Sequence, residues 1–406
     1  MTTNVTYRIA PATRMANVSY AIRDLAVVAD QVARQGHKIL YLNIGDPCKF
    51  DFPTPPHMIE AVERAMHDGF NGYGESLGER SAVEAIRSQA EAAGFQNIQG
   101  VMVGIGSGEV IDNCLTALLN PGDNVLTPCP DYPLYGAVLG KLGAKPNSYF
   151  LSEENEWQPD LEDLAARINP RTRAILLINP NNPTGAIYSR DTLERIAELA
   201  RQHNLLIFAD EIYDKLIIDD DCEHLSIAAI APDLPVITFN GLSKAYLVPG
   251  WRMGWAIATG PAESLGDYLE AVYKLLRARL SAPHPFMYAI APALTGPQDH
   301  LKEVRAKLRR RRELTMDWAA RTPRVSLVAP RGAFYAFPRL DVPEDDNVFV
   351  TELLQQKHVL CVHGSGFGQR PGTRHMRIVF LAQEEVLKQA YGNVTEFISQ
   401  RYSDSN

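Results

Sequence analysis

RAILLINPNNPTGAIYSRDTLERIAELARQHNLLIFAD, residues 173–210, holds two short apolar runs separated by an amphipathic segment. Apolar residues recur at helical spacing from Leu193 to Ala200, whereas the flanking runs AILLIN and LLIFAD are almost continuously apolar. Strands that are buried on both faces and joined by helices are typical of parallel sheets. The stretch therefore predicts one strand–helix–strand unit of a parallel α/β sheet.

Further apolar runs extend this pattern along the chain: VMVGIG from residue 101, NVLTPC from 124 and PVITFN from 235. From about residue 301 the pattern changes to a charged helix, the alternating stretch RVSLVAPRGAFYAFPRL and the short run VLCVHG. We therefore expect an α/β fold with a large domain, whose mainly parallel central sheet is flanked by helices, and a small α+β domain. The stretch GPAESLGDYLEAVYKLLRARLS, from Gly260, is predicted to be a helix that bridges the two.

The same patterns predict domain boundaries. Residues 1–48 have no core of their own, so we expect them to form an N-terminal arm and part of the small domain. Residues 49–298 are expected to form the large domain and residues 299–406 the small C-terminal domain. A chain of 406 residues leaves each of the two domains long enough to bury a core.

The composition is that of an ordinary globular protein, with 46% hydrophobic and 22% charged residues. The net charge of −8 disfavours a general nucleic-acid binder, which carries a basic excess. The four arginines at 309–312 are interpreted as the solvated face of a helix. No apolar run is long enough to span a bilayer and the N-terminus has no targeting pattern, so we expect a cytoplasmic protein without a membrane partner.

Neither the cysteines nor the histidines indicate a metal centre. The five cysteines are scattered and include no C-x-x-C pair, and the ten histidines show no ligand spacing. We therefore expect reduced thiols and no bound metal.

Three glycines in VGIGSGEVID, namely Gly104, Gly106 and Gly108, lie between an apolar run and a predicted helix that opens near Glu109. Exposed N–H groups at a helix start bind anions, so a phosphate is the natural ligand. A tight strand-to-helix turn without any ligand explains the glycines equally well. The dinucleotide fingerprint G-x-G-x-x-G fails, because Glu109 stands where its third glycine belongs.

Polar residues follow the two strands of the opening stretch. In NPNNPTG, residues 179–185, Asn182 offers an amide at the end of the strand, where α/β proteins bind ligands, whereas Asn181 is expected to cap the helix that follows. In LLIFADEIYD, Asp210 ends the strand and Tyr213 follows one helical turn later. A buried carboxylate is costly unless a cation meets it, and a helix N-cap is the alternative explanation.

In FNGLSKAYLVPGWRMGW, Lys244 follows a strand and a glycine turn, with Arg252 farther along the same motif. A surface lysine is the ordinary explanation, but a desolvated lysine near other cations loses its proton and attacks carbonyl groups. An anion cradle, an amide, a buried carboxylate with a tyrosine, a lysine and an arginine together match one ligand, pyridoxal 5′-phosphate. Its phosphate would meet the cradle and Arg252, its aldehyde Lys244 and its pyridine nitrogen Asp210.

These motifs also resemble a known family. NPNNPTG, the S-K and G-W-R of the lysine motif, and the late R-I of HMRIVF are together similar to the fold-type I, class I/II aminotransferases, and the resemblance covers nearly the whole chain. YLNIGDP with KFDF, NGLSK, ALTGPQDHLKE and PRGAFYAFP are most similar to the bacterial and archaeal alanine aminotransferases. The resemblance implies the fold of PLP-dependent transferases of type I. It also implies a ping-pong transfer of an amino group between L-amino acids and 2-oxo acids, with alanine/pyruvate and glutamate/2-oxoglutarate as the expected pairs.

The resemblance implies that Lys244 carries the cofactor and then acts as the base at the substrate Cα, with Asp210 and Tyr213 as its catalytic partners. The implied cofactor-binding residues are Ser107, Gly108, Tyr132, Asn182, Asp210, Tyr213, Ser243, Lys244, Arg252 and Tyr73.

The resemblance also implies a substrate site and an assembly. Arg377 would grip the substrate α-carboxylate in a bidentate pair, with Gly45 and Asn182 beside it. Tyr73 would reach the phosphate in a neighbouring subunit, which implies a homodimer whose active sites lie at the interface.

The chain departs from the family at two glycines. Gly241 stands where many relatives have a serine, and Gly108 stands where an aspartate-using branch has a lysine for the distal carboxylate, which disfavours aspartate as the main donor. The segment NVSYAIRD resembles the N-terminal lid of the alanine branch, so Tyr20 and Arg23 are hypothesised to bind the second carboxylate of glutamate. An ordinary helix surface explains these two residues equally well.

Other functions stay open at this point. An aspartate or broad-specificity aminotransferase, or a PLP-dependent lyase or decarboxylase, would use the same cofactor residues. A nicotinamide-dependent dehydrogenase is weakened by Glu109. A transcriptional sensor would need a DNA-binding module, and the segment before NIGDP contains no helix-turn-helix pattern.

Overall fold

The computed structural model describes residues 9–18 and 25–402. Its strands, in chain order, are β1 (Leu40–Tyr41), β2 (Ile98–Ile105), β3 (Asn124–Cys129), β4 (Lys145–Ser152), β5 (Gln158–Pro159), β6 (Thr172–Ile178), β7 (Leu206–Asp210), β8 (Val236–Gly241), β9 (Met253–Thr259), β10 (Val325–Ser326), β11 (Tyr335–Ala336), β12 (Arg339–Leu340), β13 (Val359–Leu360), β14 (Val362–His363) and β15 (Met376–Val379). Its α-helices are α1 (Ala26–Arg34), α2 (Pro56–His67), α3 (Arg80–Ala92), α4 (Gly106–Leu118), α5 (Leu134–Leu142), α6 (Leu161–Arg167), α7 (Arg190–His203), α8 (Ile227–Ile230), α9 (Ala262–Arg279), α10 (His284–Met287), α11 (Ile290–Thr295), α12 (Asp299–Arg321), α13 (Asp346–Lys357) and α14 (Glu384–Tyr402). Short 3-10 helices lie at Thr13–Asn17, Pro47–Lys49, Glu153–Asn155, Pro249–Trp251 and Gly364–Phe367.

An eight-stranded sheet forms the frame of the protein, in the order β2-β9-β8-β7-β6-β3-β4-β5. The pairs β3–β4, β3–β6, β6–β7 and β7–β8 are parallel, whereas β2–β9, β8–β9 and β4–β5 are antiparallel. The apolar runs that the sequence predicted as strands are β2, β3, β6, β7 and β8. The predicted α/β class with a mainly parallel central sheet is therefore confirmed.

The unit formed by residues 173–210 follows its sequence pattern closely. β6 and β7 are buried along nearly their whole length, as expected for strands covered on both faces. The side chain of Ser189 caps α7 by accepting a hydrogen bond from the first helical turn, and Asn204, left-handed with φ 52°, ends the helix. The apolar face of α7 enters the main core through Leu193, Ile196, Ala197 and Ala200.

The carboxyl ends of the central strands meet at one edge of the sheet. Because β6, β7 and β8 are parallel, the residues that follow Ile178, Asp210 and Gly241 lie side by side. β9 runs in the opposite direction and begins at this edge, directly after Arg252. β2 is antiparallel to β9 and ends here at Ile105, so α4 starts at the same edge. The topology thus gathers distant stretches of the chain where α/β proteins bind ligands.

The C-terminal part contains α12, α13, α14 and a three-stranded antiparallel sheet in the order β11-β15-β14. β1 pairs in parallel with β13, with Leu40 opposite Val359, and α1 packs on α13. The segment Thr13–Asn17 packs instead on α5, where its last carbonyl leaves no room for a side chain on Gly140. The N-terminal region therefore contacts both parts of the molecule, and the boundaries at residues 48 and 298 stay a prediction.

The helix that was predicted to bridge the two parts does not do so. α9 packs on α4 and β2 of the large sheet, so the interpretation from sequence is wrong. α12 contacts elements on both sides: it packs on α14 and β10, and its Arg309 donates to the carbonyl of Ile218, in the segment after β7. Within the described ranges, no helix combines the length and the apolar character needed to cross a membrane.

The four arginines at 309–312 do not form the solvated helix face that the sequence suggested. Arg311 is 1% exposed, and one of its terminal nitrogens donates to both carboxylate oxygens of Asp51, at 2.7 and 2.8 Å. Arg309 and Arg312 pair with carboxylates of the segment 219–220. The expectation is wrong because these partners lie far away in the sequence, where local spacing carries no information about them.

We expect Arg311→Met to lower the free energy of unfolding by about 3 kcal/mol, because it leaves the half-buried carboxylate of Asp51 without its main partner. Urea unfolding followed by circular dichroism measures the loss. Arg310→Met is the matched control on the same helix: its side chain is 59% exposed, and we expect a change of about 0–1 kcal/mol. Equal losses in the two variants would contradict the structural role of Arg311.

Candidate active site

Lys244 lies in the loop between β8 and β9, at the edge where the strands meet. The loop is tight, because the N–H of Leu242 donates to the carbonyl of Met253 at 3.0 Å. The ammonium of Lys244 donates to the carbonyl of Gly45 at 2.8 Å, across nearly two hundred positions of sequence. The fold therefore aims this lysine inward, so the surface explanation for it is excluded.

The electrostatic surroundings of Lys244 favour its neutral form. The pKa of Lys244 is lowered to about 8, first by burial and then by the positive charges of Arg377 and Arg252. The charges of Asp46 and Asp210 act in the opposite direction but do not compensate. A lysine in this state holds an unprotonated fraction near pH 8 and can act as a nucleophile or a base.

Asp210 ends β7 and is 4% exposed. The hydroxyl of Tyr135 donates to one of its carboxylate oxygens at 2.9 Å, and the N–H of Ile212 donates to the other at 3.3 Å. Burial raises the pKa of Asp210 to about 6, although these two bonds lower it. In the part of the chain that the structure describes, no basic side chain forms an ion pair with Asp210, so a cationic ligand atom would stabilise it.

Tyr213 lies just beyond β7 and is 3% exposed. Its hydroxyl contacts the hydroxyl of Tyr335 at 2.6 Å, and the two rings meet edge to face. Burial, and then Tyr335, raise the pKa of Tyr213 well above its usual value, so it stays a neutral donor. The hydroxyl of Tyr335 also lies 2.6 Å from the point that a Cβ on Gly45 would occupy, so only glycine fits at that position.

Arg377 lies in β15 and is 1% exposed. One terminal nitrogen donates to the side-chain oxygen of Asn182 at 3.2 Å, and the other donates to the carbonyl of Asn43 at 2.7 Å. Its guanidinium also lies over the rings of Tyr335 and Phe367, at 4.8 and 4.6 Å. These neighbours fix the orientation of the guanidinium without neutralising its charge.

The loop after β6 positions Asn182. Its neighbour Asn181 is fully buried and accepts hydrogen bonds from the N–H and the hydroxyl of Thr184, so it closes this turn. The expectation that Asn181 caps the following helix is wrong, because Ser189 holds that position. Gly185 adopts φ 72°, the left-handed conformation that allows the loop to turn back.

The first turn of α4 lies where the glycines predicted an anion cradle, and the binding of an anion there stays a prediction. The helix begins at Gly106, three residues earlier than expected, and its first-turn N–H groups, which include those of Ser107 and Gly108, have no partner within the helix. The exposed guanidinium of Arg252 lies against Gly106, and a side chain at that glycine would collide with it. The carboxylate of Glu109 accepts a hydrogen bond from the N–H of Ile105 at 2.7 Å and so closes the turn before the helix.

The remaining expected residues differ in their placement. Ser243 is buried directly before the lysine, and Tyr132 follows β3 with its ring edge-on to that of Tyr135, with 6.4 Å between the centroids. Tyr73 is 83% exposed, and its side chain makes no hydrogen bond or ring contact within residues 9–18 and 25–402. The expected lid residues, Tyr20 and Arg23, lie outside the described residues.

Two tyrosines of the site were not found from the sequence. Tyr135, which donates to Asp210, follows Tyr132 by three positions, a spacing that pointed to it only weakly. Tyr335 lies within PRGAFYAFP, a stretch that was singled out without a role for any of its residues. Both act through contacts between elements that are distant in the chain, which no local pattern reports.

Comparisons with known proteins show the family to which the chain belongs. The family described as “Aminotransferase class I and II” matches residues 37–392. The chain is 41% identical over 400 residues to “Glutamate-pyruvate aminotransferase AlaA” of Escherichia coli, covering 96% of this chain and 98% of that protein. It is 40% identical over 400 residues to “Alanine aminotransferase” of Mycobacterium tuberculosis, with coverage of 96% and 92%. Its structure matches an alanine aminotransferase from Pyrococcus furiosus with a TM-score of 0.93 at 40% identity, covering 97% of this chain and 100% of the other. This chain therefore belongs to the class I and II aminotransferases.

Proposed function

We propose that this aminotransferase uses pyridoxal 5′-phosphate and exchanges amino groups between L-alanine and 2-oxoglutarate, forming pyruvate and L-glutamate, in both directions. The observation that carries the proposal is the placement of an inward-facing lysine and a buried carboxyl group at one edge of the sheet. Each is bonded to a neutral group, Lys244 to the carbonyl of Gly45 and Asp210 to the hydroxyl of Tyr135. The pKa of Lys244 is lowered to about 8 and the pKa of Asp210 is raised to about 6, both mainly by burial. Such paired shifts are typical of catalytic groups.

The residues at this edge fit the cofactor atom by atom. Lys244 offers an amine for the aldehyde. Asp210 is a buried carboxyl group that forms no ion pair with a basic side chain among residues 9–18 and 25–402, which suits a protonated pyridine nitrogen. The first turn of α4, which contains Ser107 and Gly108, lies against Arg252 and suits a phosphate, and we expect the hydroxyl of Ser243 to join them.

Two donors and one ring complete the cofactor-binding side of the site. The hydroxyl of Tyr213 and the amide of Asn182 would donate to the phenolic oxygen, and the ring of Tyr132 would stack on the pyridine. Since the oxygen of Asn182 already accepts from Arg377, its amide nitrogen is the branch that it offers to a ligand.

When bound, pyridoxal phosphate supplies an aldehyde that receives the amine and a ring that accepts an electron pair from the substrate Cα. Lys244 then serves as the base that takes the proton from Cα, since its lowered pKa leaves part of it unprotonated. Asp210 holds the proton on the pyridine nitrogen, and Tyr213 holds the phenolic oxygen in its charged form by donating to it.

Arg377 would bind the substrate α-carboxylate through both terminal nitrogens, with Gly45 offering its backbone on the other side. Asn182 and the carbonyl of Asn43 already align its planar fork. A lysine lacks this fork and could not bind the carboxylate through two parallel hydrogen bonds, so it would not replace Arg377.

Alanine and glutamate as substrates are supported by the names of the relatives in Escherichia coli, Mycobacterium tuberculosis and Pyrococcus furiosus. Gly108 is consistent with this, since it offers no cation for an aspartate side chain. Tyr20 and Arg23 remain our hypothesis for the second carboxylate of glutamate. Aspartate is the second candidate donor, since structures of aspartate aminotransferases from Thermus thermophilus match at a TM-score of 0.86.

A homodimer with active sites at the interface is part of the proposal. Tyr73 is exposed on the turn after α2 and, as expected from the family, would reach the phosphate bound by the partner subunit. Other large apolar side chains on the surface, Ile59, Met66 and Phe70, lie close to it in the sequence. Exposed apolar residues grouped in this way are typical of a surface that a partner covers.

We expect the purified protein to be yellow with bound cofactor, and L-alanine or L-glutamate to bleach the visible band by converting the cofactor to its amine form. Absorbance spectra recorded after separate additions of L-alanine, L-glutamate and L-aspartate measure this half-reaction. Bleaching mainly by aspartate would keep the aminotransferase and overturn the alanine assignment.

Lys244→Ala tests the same assignment at the residue level. This variant is expected to lose the lysine-linked absorbance and turnover together, whereas Lys274→Ala, an exposed lysine on α9, is expected to keep both. Turnover by Lys244→Ala at the wild-type rate would exclude the proposed role of the lysine. A wild-type protein that stays colourless with added pyridoxal phosphate would exclude the cofactor.

We expect Arg377→Lys to raise KM for L-alanine by roughly 10- to 100-fold, which is the cost of one to two charged hydrogen bonds. The cofactor spectrum is expected to stay unchanged, because the cofactor side of the site is intact. Steady-state kinetics with Arg374→Lys as the matched control on the neighbouring turn measure the difference. An unchanged KM would show that the substrate carboxylate binds elsewhere.

Mixed dimers test the role of Tyr73. Tyr73→Ala alone is expected to reduce activity roughly tenfold, by loss of a hydrogen bond to the phosphate. Co-expression of Tyr73→Ala with Lys244→Ala would form mixed dimers in which one site has both residues, so activity is regained. In the control, the double variant Tyr73→Ala/Lys244→Ala is co-expressed with Lys244→Ala. The resulting mixed dimers contain no complete site. Failure to regain activity in verified mixed dimers would exclude a role for Tyr73 in the partner's site.

A further inference from the structure

Tyr335 contacts three parts of the site at once. It is 3% exposed and belongs to β11, in the C-terminal part of the molecule. β11 is antiparallel to β15, with Tyr335 opposite Val379, so Arg377, two residues before Val379, is its diagonal neighbour on the same face. The position of this tyrosine is thus set by a strand register and not by a flexible loop.

The hydroxyl of Tyr335 lies 2.6 Å from the hydroxyl of Tyr213, in a buried environment. Each hydroxyl carries one proton, so one of the two donates and the other accepts. If Tyr335 donates, the proton of Tyr213 is left for a different acceptor. A donor that itself accepts a hydrogen bond is both better aligned and more strongly polarised.

The ring of Tyr335 supports the arginine. The guanidinium of Arg377 lies 4.8 Å from the centre of this ring and 4.6 Å from that of Phe367. Rings in this position attract the cation and restrict its rotation while leaving its charge available to an anion. The hydroxyl end of the same side chain abuts Gly45, whose carbonyl receives the ammonium of Lys244.

We propose that Tyr335 is a positioning residue for both halves of the site. Its hydroxyl donates to Tyr213 and thereby directs the Tyr213 proton to the phenolic oxygen of the cofactor, and its ring holds Arg377 toward the substrate carboxylate. This inference rests on the proposed function, because it takes the ligands of Tyr213 and Arg377 from it. The two parts of the same side chain can be removed separately, which makes the proposal testable.

Tyr335→Phe removes only the oxygen. In the holoenzyme we expect a higher pH midpoint when the visible absorbance of the bound cofactor is titrated with pH. The reason is that Tyr213, as a weaker donor, no longer favours the charged form of the phenolic oxygen. We also expect kcat to fall roughly tenfold, as for the loss of one aligned hydrogen bond, with KM for L-alanine within about twofold of wild type. Tyr335→Leu removes the ring as well, and here KM is expected to rise roughly tenfold further.

A double variant tests whether the hydroxyl acts through Tyr213. The midpoint of Tyr213→Phe/Tyr335→Phe is expected to equal that of Tyr213→Phe alone, because the second hydroxyl then has nothing to orient. Thermal unfolding provides a readout that does not depend on activity. It is measured on four proteins freed of cofactor: the wild type, Tyr213→Phe, Tyr335→Phe and the double variant. A coupling between the two hydroxyls is expected there as well.

Tyr391→Phe is the matched control. Tyr391 is 2% exposed and its hydroxyl bonds to that of Thr315 at 2.7 Å, away from the site, so this variant is expected to leave the midpoint unchanged. A wild-type midpoint in Tyr335→Phe, additive midpoint shifts in the double variant, or an equal shift in Tyr391→Phe would each overturn the inference while leaving the proposed function standing. A wild-type protein without any cofactor absorbance would overturn both. If Tyr335→Leu fails to fold, the phenylalanine variants still decide the hydroxyl role on which the proposal depends.

Discussion

The buried carboxyl group of Asp210, at the end of a central strand, is the constraint on which the site depends. The desolvation that raises its pKa also lowers the pKa of Lys244, a few residues beyond the next strand. A protein shaped for stability alone would pair the two groups directly or replace them with apolar side chains. Here the lysine donates to a backbone carbonyl and the carboxyl group accepts from a tyrosine, so both stay available to a ligand.

The sheet could be predicted from the sequence where its strands are covered on both faces. Continuous apolar runs mark β2, β3, β6, β7 and β8, and the 3.6-residue period of α7 separates two of them. The strands that were missed are of another kind. β4 is partly exposed and mixed in composition. β9 begins within the last three residues of the lysine motif, which was interpreted for its lysine and arginine and not as a strand. Nothing in the local pattern of β9 shows that it is antiparallel to its neighbours. Yet this direction is what places Arg252 at the start of α4.

The site was accessible from the sequence to the extent that its residues follow strand ends. Asp210, Asn182 and Lys244 all do so, and the parallel arrangement of their strands then requires them to lie close together. Tyr335 follows no such rule, because it reaches the site through the pairing of β11 with β15. The prediction for the arginines of α12 was wrong for the same reason. Helical spacing indicates which residues share a face, but it does not show that a carboxylate from a distant part of the chain covers that face.

The pairing of β1 with β13 has a consequence for the synthesis of the chain. Leu40 is synthesised well before its partner Val359, and at about 10 residues per second the interval is roughly half a minute. During that time the edge of β1 and the apolar face of α1 have no native cover, which is the state in which nascent chains associate wrongly. Since Arg377 is made later still, no product of translation that ends before residue 377 carries a complete site.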